Sequence, residues 1–349
     1  MCFNDRINSM AGEMRMKLDF EKIKEIAQGA ERIVKSGGEI SFFRFSKAED
    51  EVYSSSELYP RTFSTAGVKL GFRTNATAIS IKVKAEKLTN ISLFAFDIYA
   101  DKEQIGCIKN YPHDIPETGY SENDYPTGSF EGRFELPSVR EKEIEIYFPW
   151  SLKGSLISLE LENASYADAV RRDKKILVYG DSIVQGTAAK NPSCAHVVKL
   201  ADYLGAELIS KAIGSEVYFP ELAEQKTENY SPDYIYVGYG VNDWYTLAYD
   251  DAEQRCRRFW KAICRNYPDA KKICVSPIWY RDHNVDRKFG HLSGAEDIQR
   301  RVTQEYPNVT FVKGWELVPH GDEYLVDGVH PNNSGFGIFY NNLKTELGI

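Results

Sequence analysis

Two hydrophobic rhythms divide this chain. In its first half, apolar residues recur at every second position. Ile40, Phe42 and Phe45 begin the series, Val68, Leu70 and Phe72 alternate with Lys69, Gly71 and Arg73, and Ile79, Ile81 and Val83 alternate with Ser80, Lys82 and Lys84. The segments 91–99, 144–148 and 156–161 continue it. Short half-buried strands between turn signals predict an antiparallel β-sandwich. Ahead of them, Phe20, Ile23, Ala27, Ala30, Ile33 and Val34 fall near helical spacing. That spacing predicts an amphipathic helix over 19–35, with Asp19 as N-cap and Gly37-Gly38 as its stop. The stretch 110–132 is rich in Pro, Gly, Tyr and acids and reads as a long surface loop. Its Tyr111, Tyr120 and Tyr125 either pack on their own loop or line a sugar-binding surface.

Beyond the polar stretch 164–175 the rhythm changes. Short continuous apolar runs at 176–179, 206–210, 234–237, 273–276 and 310–313 alternate with helical stretches at 194–204, 220–229, 252–266 and 295–306, and a last helix follows Asn333. Alternation of this kind predicts a parallel sheet covered on both faces. The expected organisation is a tail and helix over 1–37, a β-sandwich over 38–170 with the character of a carbohydrate-binding accessory domain, and an α/β domain over 171–349.

Composition narrows the function classes. The 349 residues are 42% hydrophobic, as in a globular protein large enough for two cores. The formal net charge of -8 disfavours nucleic acid or an anionic membrane as partner, since either requires a cationic face. The six cysteines form no CxxC pair and read as reduced thiols. No apolar run is long enough to suggest a membrane span, and the opening residues lack the pattern of a secretory signal. The protein therefore reads as cytoplasmic, with Met10, Met14 and Met16 as alternative starts.

The chemistry concentrates where the predicted strands of the second half end. Gly180-Asp181-Ser182 follows the first strand, Gly214 the second, and Gly240-Val241-Asn242-Asp243 the third; Asp327-Gly328-Val329-His330 precedes the last helix. Strand ends of a parallel sheet converge on one rim, where ligands bind. A serine hydroxyl needs a neighbouring base, and an imidazole is mostly neutral at physiological pH, so His330 is the candidate base for Ser182. Asp327, three residues earlier on a turn, is placed to orient that ring. The backbone N–H groups of Ser182 and Gly214 and the amide of Asn242 are candidate oxyanion donors. Gly214 is expected to bring the backbone close to the oxyanion, with positive φ as one way to do so.

This ordered set resembles the SGNH, or GDSL-type, hydrolase superfamily, over about half the chain. Ser182, Gly214, Asn242 and His330 match its blocks in order, and Asp327 matches the aspartate partner. Ile183 replaces the leucine of the first block. The glycine block Lys211-Ala212-Ile213-Gly214-Ser215-Glu216 lacks the asparagine before and the second glycine after that many relatives carry. The resemblance implies a flavodoxin-like parallel-sheet fold, and ester hydrolysis or acyl transfer without metal or organic cofactor. A sandwich ahead of such a domain, with Arg61 and the 68–74 strand, resembles the layout of family-2 carbohydrate esterases and of some GDSL-type acyltransferases.

The expected function is hydrolysis of short acyl esters, acetyl above all, of a carbohydrate or similar alcohol. The substrate would be a small molecule or an oligosaccharide. Acyl transfer by the same residues, or carbohydrate binding without catalysis, are the alternatives. Glu216, Tyr218, Trp244 and Trp279 are candidate substrate contacts, with ordinary packing as the competing reading. His283 and His291, with Asp282 and Asp286, lack metal-site spacing and read as solvated loop residues. Phosphate-loop, dinucleotide and Gly-x-Ser-x-Gly fingerprints are absent.

Overall fold

A computed structural model describes residues 15–111, 124–137, 140–227 and 230–349. The first half forms two six-stranded antiparallel sheets. In chain order its strands are β1 (Arg15–Lys17), β2 (Ala27–Gln28), β3 (Arg32–Ser36), β4 (Glu39–Phe43), β5 (Lys69–Thr74), β6 (Ala78–Glu86), β7 (Ala95–Ala100), β8 (Glu103–Lys109), β9 (Gly128–Glu135), β10 (Lys142–Tyr147), β11 (Lys153–Glu162) and β12 (Asp168–Ala169), with helices α1 (Phe20–Ile26) and α2 (Lys47–Tyr53). One sheet runs β3-β4-β11-β6-β9 with β1 along β11, and the other β12-β5-β10-β7-β8 with β2 along β5. The alternating residues of the sequence meet between them: Leu70, Phe72, Ile79, Ile81, Val83, Ile144 and Ile146 share one buried core.

Two expectations are corrected here. The helix expected over 19–35 stops at Ile26, although Asp19 caps it as foreseen, accepting from the Lys22 N–H at 2.9 Å. Ala27 and Gln28 pair with β5, and residues 32–36 form a hairpin with β4. Gly37 and Gly38 are the turn of that hairpin, at φ +58° and +85°, the left-handed pair a two-residue turn requires. Strand pairing thus overrode a helical spacing built largely on alanines and β-branched residues. The second correction is β9, which begins inside the stretch read as a loop. Only Phe130 and Phe134 are apolar in its eight residues, so its period was faint. Tyr111 is buried rather than exposed, and its hydroxyl donates to the Lys190 carbonyl. Tyr120 lies outside the described residues.

The second half is a five-stranded sheet, parallel throughout. Its strands are β13 (Lys174–Gly180), β14 (Ala206–Ser210), β15 (Tyr234–Gly238), β16 (Lys271–Val275) and β17 (Val309–Val312), in the order β14-β13-β15-β16-β17. Its helices are α3 (Ser182–Gln185), α4 (His196–Leu204), α5 (Pro220–Glu224), α6 (Val241–Thr246), α7 (Tyr249–Asn266), α8 (Ser293–Thr303) and α9 (Asn333–Leu347). Ile176 and Val178 pack with α4 and α9 on one face, and Leu177 and Tyr179 with α5, α7 and α8 on the other. That two-sided burial is why β13 reads as a continuous apolar run. The strand order reverses between β14 and β15 around β13, and Ser182 follows β13 at this switch point. Among the described residues no helix is long and apolar enough to cross a membrane.

Sandwich and sheet are joined by buried charge. Arg44, fully buried, donates from Nε to the Ser64 carbonyl at 2.7 Å and from Nη1 to the carbonyls of Ser210 at 2.5 Å and Ala212 at 3.1 Å. Lys211, also fully buried, reaches back to Glu49 at 2.6 Å, to Glu31, and to the Arg44 carbonyl at 2.7 Å. Lys69 of β5 pairs with Glu145 at 2.8 Å and with Asp202 of α4 at 2.6 Å. Removing one partner of a buried pair strands the other charge, which costs about 3–5 kcal/mol. Lys211→Met is therefore expected to destabilise the protein by about 3–5 kcal/mol in urea unfolding. A loss under about 1 kcal/mol, the surface-pair range, would show that the link is dispensable.

Candidate active site

Ser182 is the first residue of α3. Asp181 caps that helix, accepting from the Ile183 N–H at 2.9 Å. The serine N–H therefore belongs to the first turn, whose N–H groups have no intrahelical acceptor. His330 and Asp327 come from the loop before α9. There Asp327 Oδ1 accepts from the backbone N–H of Val329 at 3.0 Å and of His330 at 2.8 Å, a side-chain-closed turn. The turn leaves Asp327 Oδ2 2.8 Å from His330 Nδ1, and His330 Nε2 lies 2.7 Å from Ser182 Oγ. A continuous carboxylate–imidazole–hydroxyl chain results. Burial pushes the Asp327 carboxyl up, but the hydrogen bonds from the His330 ring and from the two backbone N–H groups outweigh it and hold the group well below the usual carboxylate range. Asp327 therefore stays ionised and orients the ring without taking its proton.

Gly214 lies beside Ser182, as expected, but its backbone departs from the expectation in two ways. Its φ is not positive; the left-handed residue is Ser215, at φ +69°. Its N–H donates to Gln185 Oε1 at 2.6 Å rather than standing open. A Cβ here would lie 3.3 Å from Arg61 Nη1, 3.4 Å from Gln185 Oε1 and 3.6 Å from Ser182 Cβ, a tight fit against one flexible side chain and ordinary contact with the other two. Asn242, in α6, donates from Nδ2 to the Glu216 carbonyl at 3.0 Å and so braces the loop after Gly214. In this arrangement the three expected oxyanion donors do not all point into one hole.

The cleft around Ser182 has a volume of about 210 Å³. From the sheet side it is lined by Ser182, Gln185, Thr187, Gly214, Ser215 and His330, and from the sandwich by Arg61, Thr89, Asn90, Ile91 and Ser151. Sequence reasoning singled out Arg61 only as part of a family layout and did not find the other sandwich residues or Gln185. They carry no periodic signal, and only the docking of the two halves brings them to the serine.

The expected substrate contacts lie elsewhere. Glu216 is buried and accepts from Tyr53 Oη at 2.7 Å and from Tyr239 Oη at 3.3 Å. Tyr218 is buried too, its hydroxyl accepting from Gln299 at 3.0 Å. Trp244 is fully buried and donates to the Gly290 carbonyl at 2.9 Å. Trp279 stacks on His320 at 5.8 Å, away from the serine cleft. His283 and His291 line a separate cleft of about 390 Å³ with Trp315. Aromatics next to strand ends packed inward because the apolar faces of α7 and α8 had to be covered.

Burial pushes the Glu216 carboxyl up to about 8, against the hydrogen bonds from Tyr53 and Tyr239. Burial likewise pushes Asp243 up to about 7. Between the ordinary carboxylate range and about pH 8, the folded protein therefore holds a proton at Glu216 that the unfolded chain releases. Stability from this group is present at low pH and falls as pH rises through that window. Glu216→Gln keeps a neutral side chain at all pH. Its unfolding free energy relative to the parent should thus rise between pH 5 and 8, by about 1 kcal/mol or more. A difference that does not change with pH would show that Glu216 is ionised in the fold.

Residues 178–338 match the GDSL-like Lipase/Acylhydrolase family. Among solved structures, the fold is similar to that of a salicylyl-acyltransferase from a tetracycline biosynthetic pathway, with TM-score 0.78 and 17% identity over 96% of this chain and 97% of that one. A putative GDSL-like lipase from Bacteroides ovatus gives TM-score 0.70 and 19% identity over 97% and 98%. A family two carbohydrate esterase from Cellvibrio japonicus gives TM-score 0.62 and 15% identity over 96% and 98%. No curated protein matches the sequence. The overlaps cover both halves, so the two-part fold is shared, and the C-terminal half of this chain falls in the GDSL-like lipase/acylhydrolase family.

Proposed function

We propose that the protein is a serine esterase that hydrolyses short acyl esters, with acetyl esters of a carbohydrate or similar alcohol as the substrate class. The observation that carries the reading is the 2.7 Å contact between His330 Nε2 and Ser182 Oγ, with Asp327 behind the ring. Ser182 Oγ attacks the ester carbonyl while His330 Nε2 takes its proton. The collapsing intermediate expels the alcohol, which receives that proton. Water, deprotonated by the same imidazole, then releases the acid and frees the serine. The N–H of Ser182 is positioned to receive the oxyanion, and Gly214 joins it once the Gln185 carbonyl gives way. The small, polar, half-open cleft suits a short acyl group on a hydroxylated alcohol. The sandwich, proposed as an accessory domain over 38–170, supplies the far wall of that cleft.

Transfer of the acyl group to an alcohol instead of water uses the same residues, and the similarity to an acyltransferase fold keeps it as the second reading. Comparing products with and without an added acceptor alcohol separates the two. The five free thiols at Cys107, Cys194, Cys256, Cys264 and Cys274 support a reducing, cytoplasmic setting.

Ser182→Ala should lower 4-nitrophenyl acetate turnover by about 10⁴-fold or more with the melting temperature unchanged. Retained turnover in that variant would refute the assignment. The chemistry also needs an imidazole at position 330, so His330→Ala should lower kcat/KM by about 10³-fold or more. An unchanged kcat/KM would remove His330 as the base.

A further inference from the structure

One charged side chain other than His330 lines the cleft around Ser182: Arg61, in the short turn at Tyr59–Phe63. Its Nη1 donates to the Gly214 carbonyl at 2.6 Å and to Ser215 Oγ at 2.8 Å. Among the described residues the guanidinium makes no other hydrogen bond and no ion pair. Its Nε–H and Nη2–H groups form the side edge that matches a carboxylate, and that edge has no protein partner. Several other buried or partly buried arginines are more fully partnered, although among the described residues Arg255 and Arg287 likewise make no ion pair. Arg32 pairs with Asp50, Arg172 with Glu143 at 3.1 Å, and the fully buried Arg44 is surrounded by carbonyl acceptors. At Arg61 burial lowers the pKa with no acid to offset it. Holding the Gly214 loop needs only Nη1, and a neutral donor would serve. A guanidinium edge left without a protein partner on the wall of a cleft is open to an anionic ligand.

We propose that the ester processed at Ser182 carries a carboxylate, which Arg61 receives on the free edge of its guanidinium. The inference rests on the esterase reading and narrows its substrate class to anionic esters. Nη1 of Arg61 and Cβ of Ser182 lie 3.3 Å and 3.6 Å from one point, the place a Cβ on Gly214 would take. The carboxylate therefore sits a short spacer away from the reacting carbonyl, on the acyl or on the alcohol side. Thr89, Asn90 and Ser151, which line the same cleft, are uncharged and do not compete for the cation.

Two matched substrate pairs test this. Monoethyl succinate against ethyl butanoate places the charge on the acyl side; 3-acetoxybenzoate against its methyl ester places it on the alcohol side. In one pair the wild-type kcat/KM should favour the charged member by about tenfold or more, and that pair locates the carboxylate. Arg61→Gln should bring the ratio close to one, whatever happens to the absolute rate, and Arg61→Lys should retain part of it. No preference in either pair, or a preference that survives Arg61→Gln in a protein with an unchanged melting curve, would overturn the proposal. If Arg61→Gln does not fold, Arg61→Lys with an undiminished ratio would overturn it equally. Binding is read separately by calorimetry in Ser182→Ala. There the charged ester should bind about tenfold more tightly than its neutral partner, and adding Arg61→Gln should erase the difference. Wild type that turns over no ester but keeps this Arg61-dependent binding would refute the esterase reading and leave the anion site standing; equal binding would refute the site.

Discussion

The structure depends on how the sandwich holds one loop of the other half, residues 210–216. This segment leaves the end of β14, crosses beside Ser182 and carries Gly214. Outside a strand its carbonyls have no ladder partners, and a buried backbone group without a partner is expensive. The sandwich supplies the missing donors. Arg44 takes the carbonyls of Ser210 and Ala212, Arg61 takes the carbonyl of Gly214 and the hydroxyl of Ser215, and Tyr53 donates to Glu216. In return Lys211 reaches into the sandwich to Glu31 and Glu49. From the sheet side Gln185 receives the Gly214 N–H and passes the link on to the Trp150 carbonyl at 2.7 Å. A loop that in isolation would be mobile is thereby fixed at nearly every residue, and its fixed position sets the distance between Gly214 and the serine.

The same grip shapes the electrostatics of the cleft. Three carboxyls sit behind it in dry surroundings: burial pushes Asp181 up to about 6, Asp243 to about 7 and Glu216 to about 8. Ionised, each would oppose an oxyanion forming at Ser182. Burial favours their neutral forms, most strongly at Glu216, which lies nearest the loop. Asp327 is the exception, because its two backbone donors and the His330 ring compensate its burial. Asp327 is the one of the four whose donors outweigh its burial. The acids farther back serve as caps and braces, where a neutral carboxyl suffices.

What could be read from the sequence follows from where each signal originates. The parallel sheet was legible because its strands are buried on both faces, and β14 runs over the expected residues. Ser182, Gly214, Asn242 and His330 were legible as short blocks at strand ends, where topology alone makes distant residues neighbours. Residues 27–36 were not, since β2 and β3 exist only through their pairing with β5 and β4. The substrate contacts were misplaced for a related reason. Trp244, Tyr218 and Glu216 follow strands as closely as Asn242 does, but their side chains fall on the side covered by α7 and α8. Nearness in sequence to a strand end does not decide which way a side chain faces. Arg61 entered the sequence reading only as part of a family layout, and Thr89 and Ser151 not at all, because their meeting with Ser182 is a property of docking.

An open parallel sheet gives its ligands a rim and a switch point but only half a pocket. In many α/β proteins the remaining walls are grown as long loops from the strand ends. Here the loops after β13 and β14 are short, and a second folded body closes the site instead. Its wall is made of the 3₁₀ turn that carries Arg61 and of connections between sandwich strands, Thr89, Asn90 and Ile91 between β6 and β7 and Ser151 between β10 and β11. It also places a cation, Arg61, against Gly214 and Ser215 beside the serine. The arrangement ties specificity to a body that folds around its own core. On the esterase reading proposed above, the serine chemistry would stay constant while the residues of the sandwich wall select the ester. On this view the two halves of the chain are separate in hydrophobic core but joined in function, and the joint is the loop between β14 and Glu216.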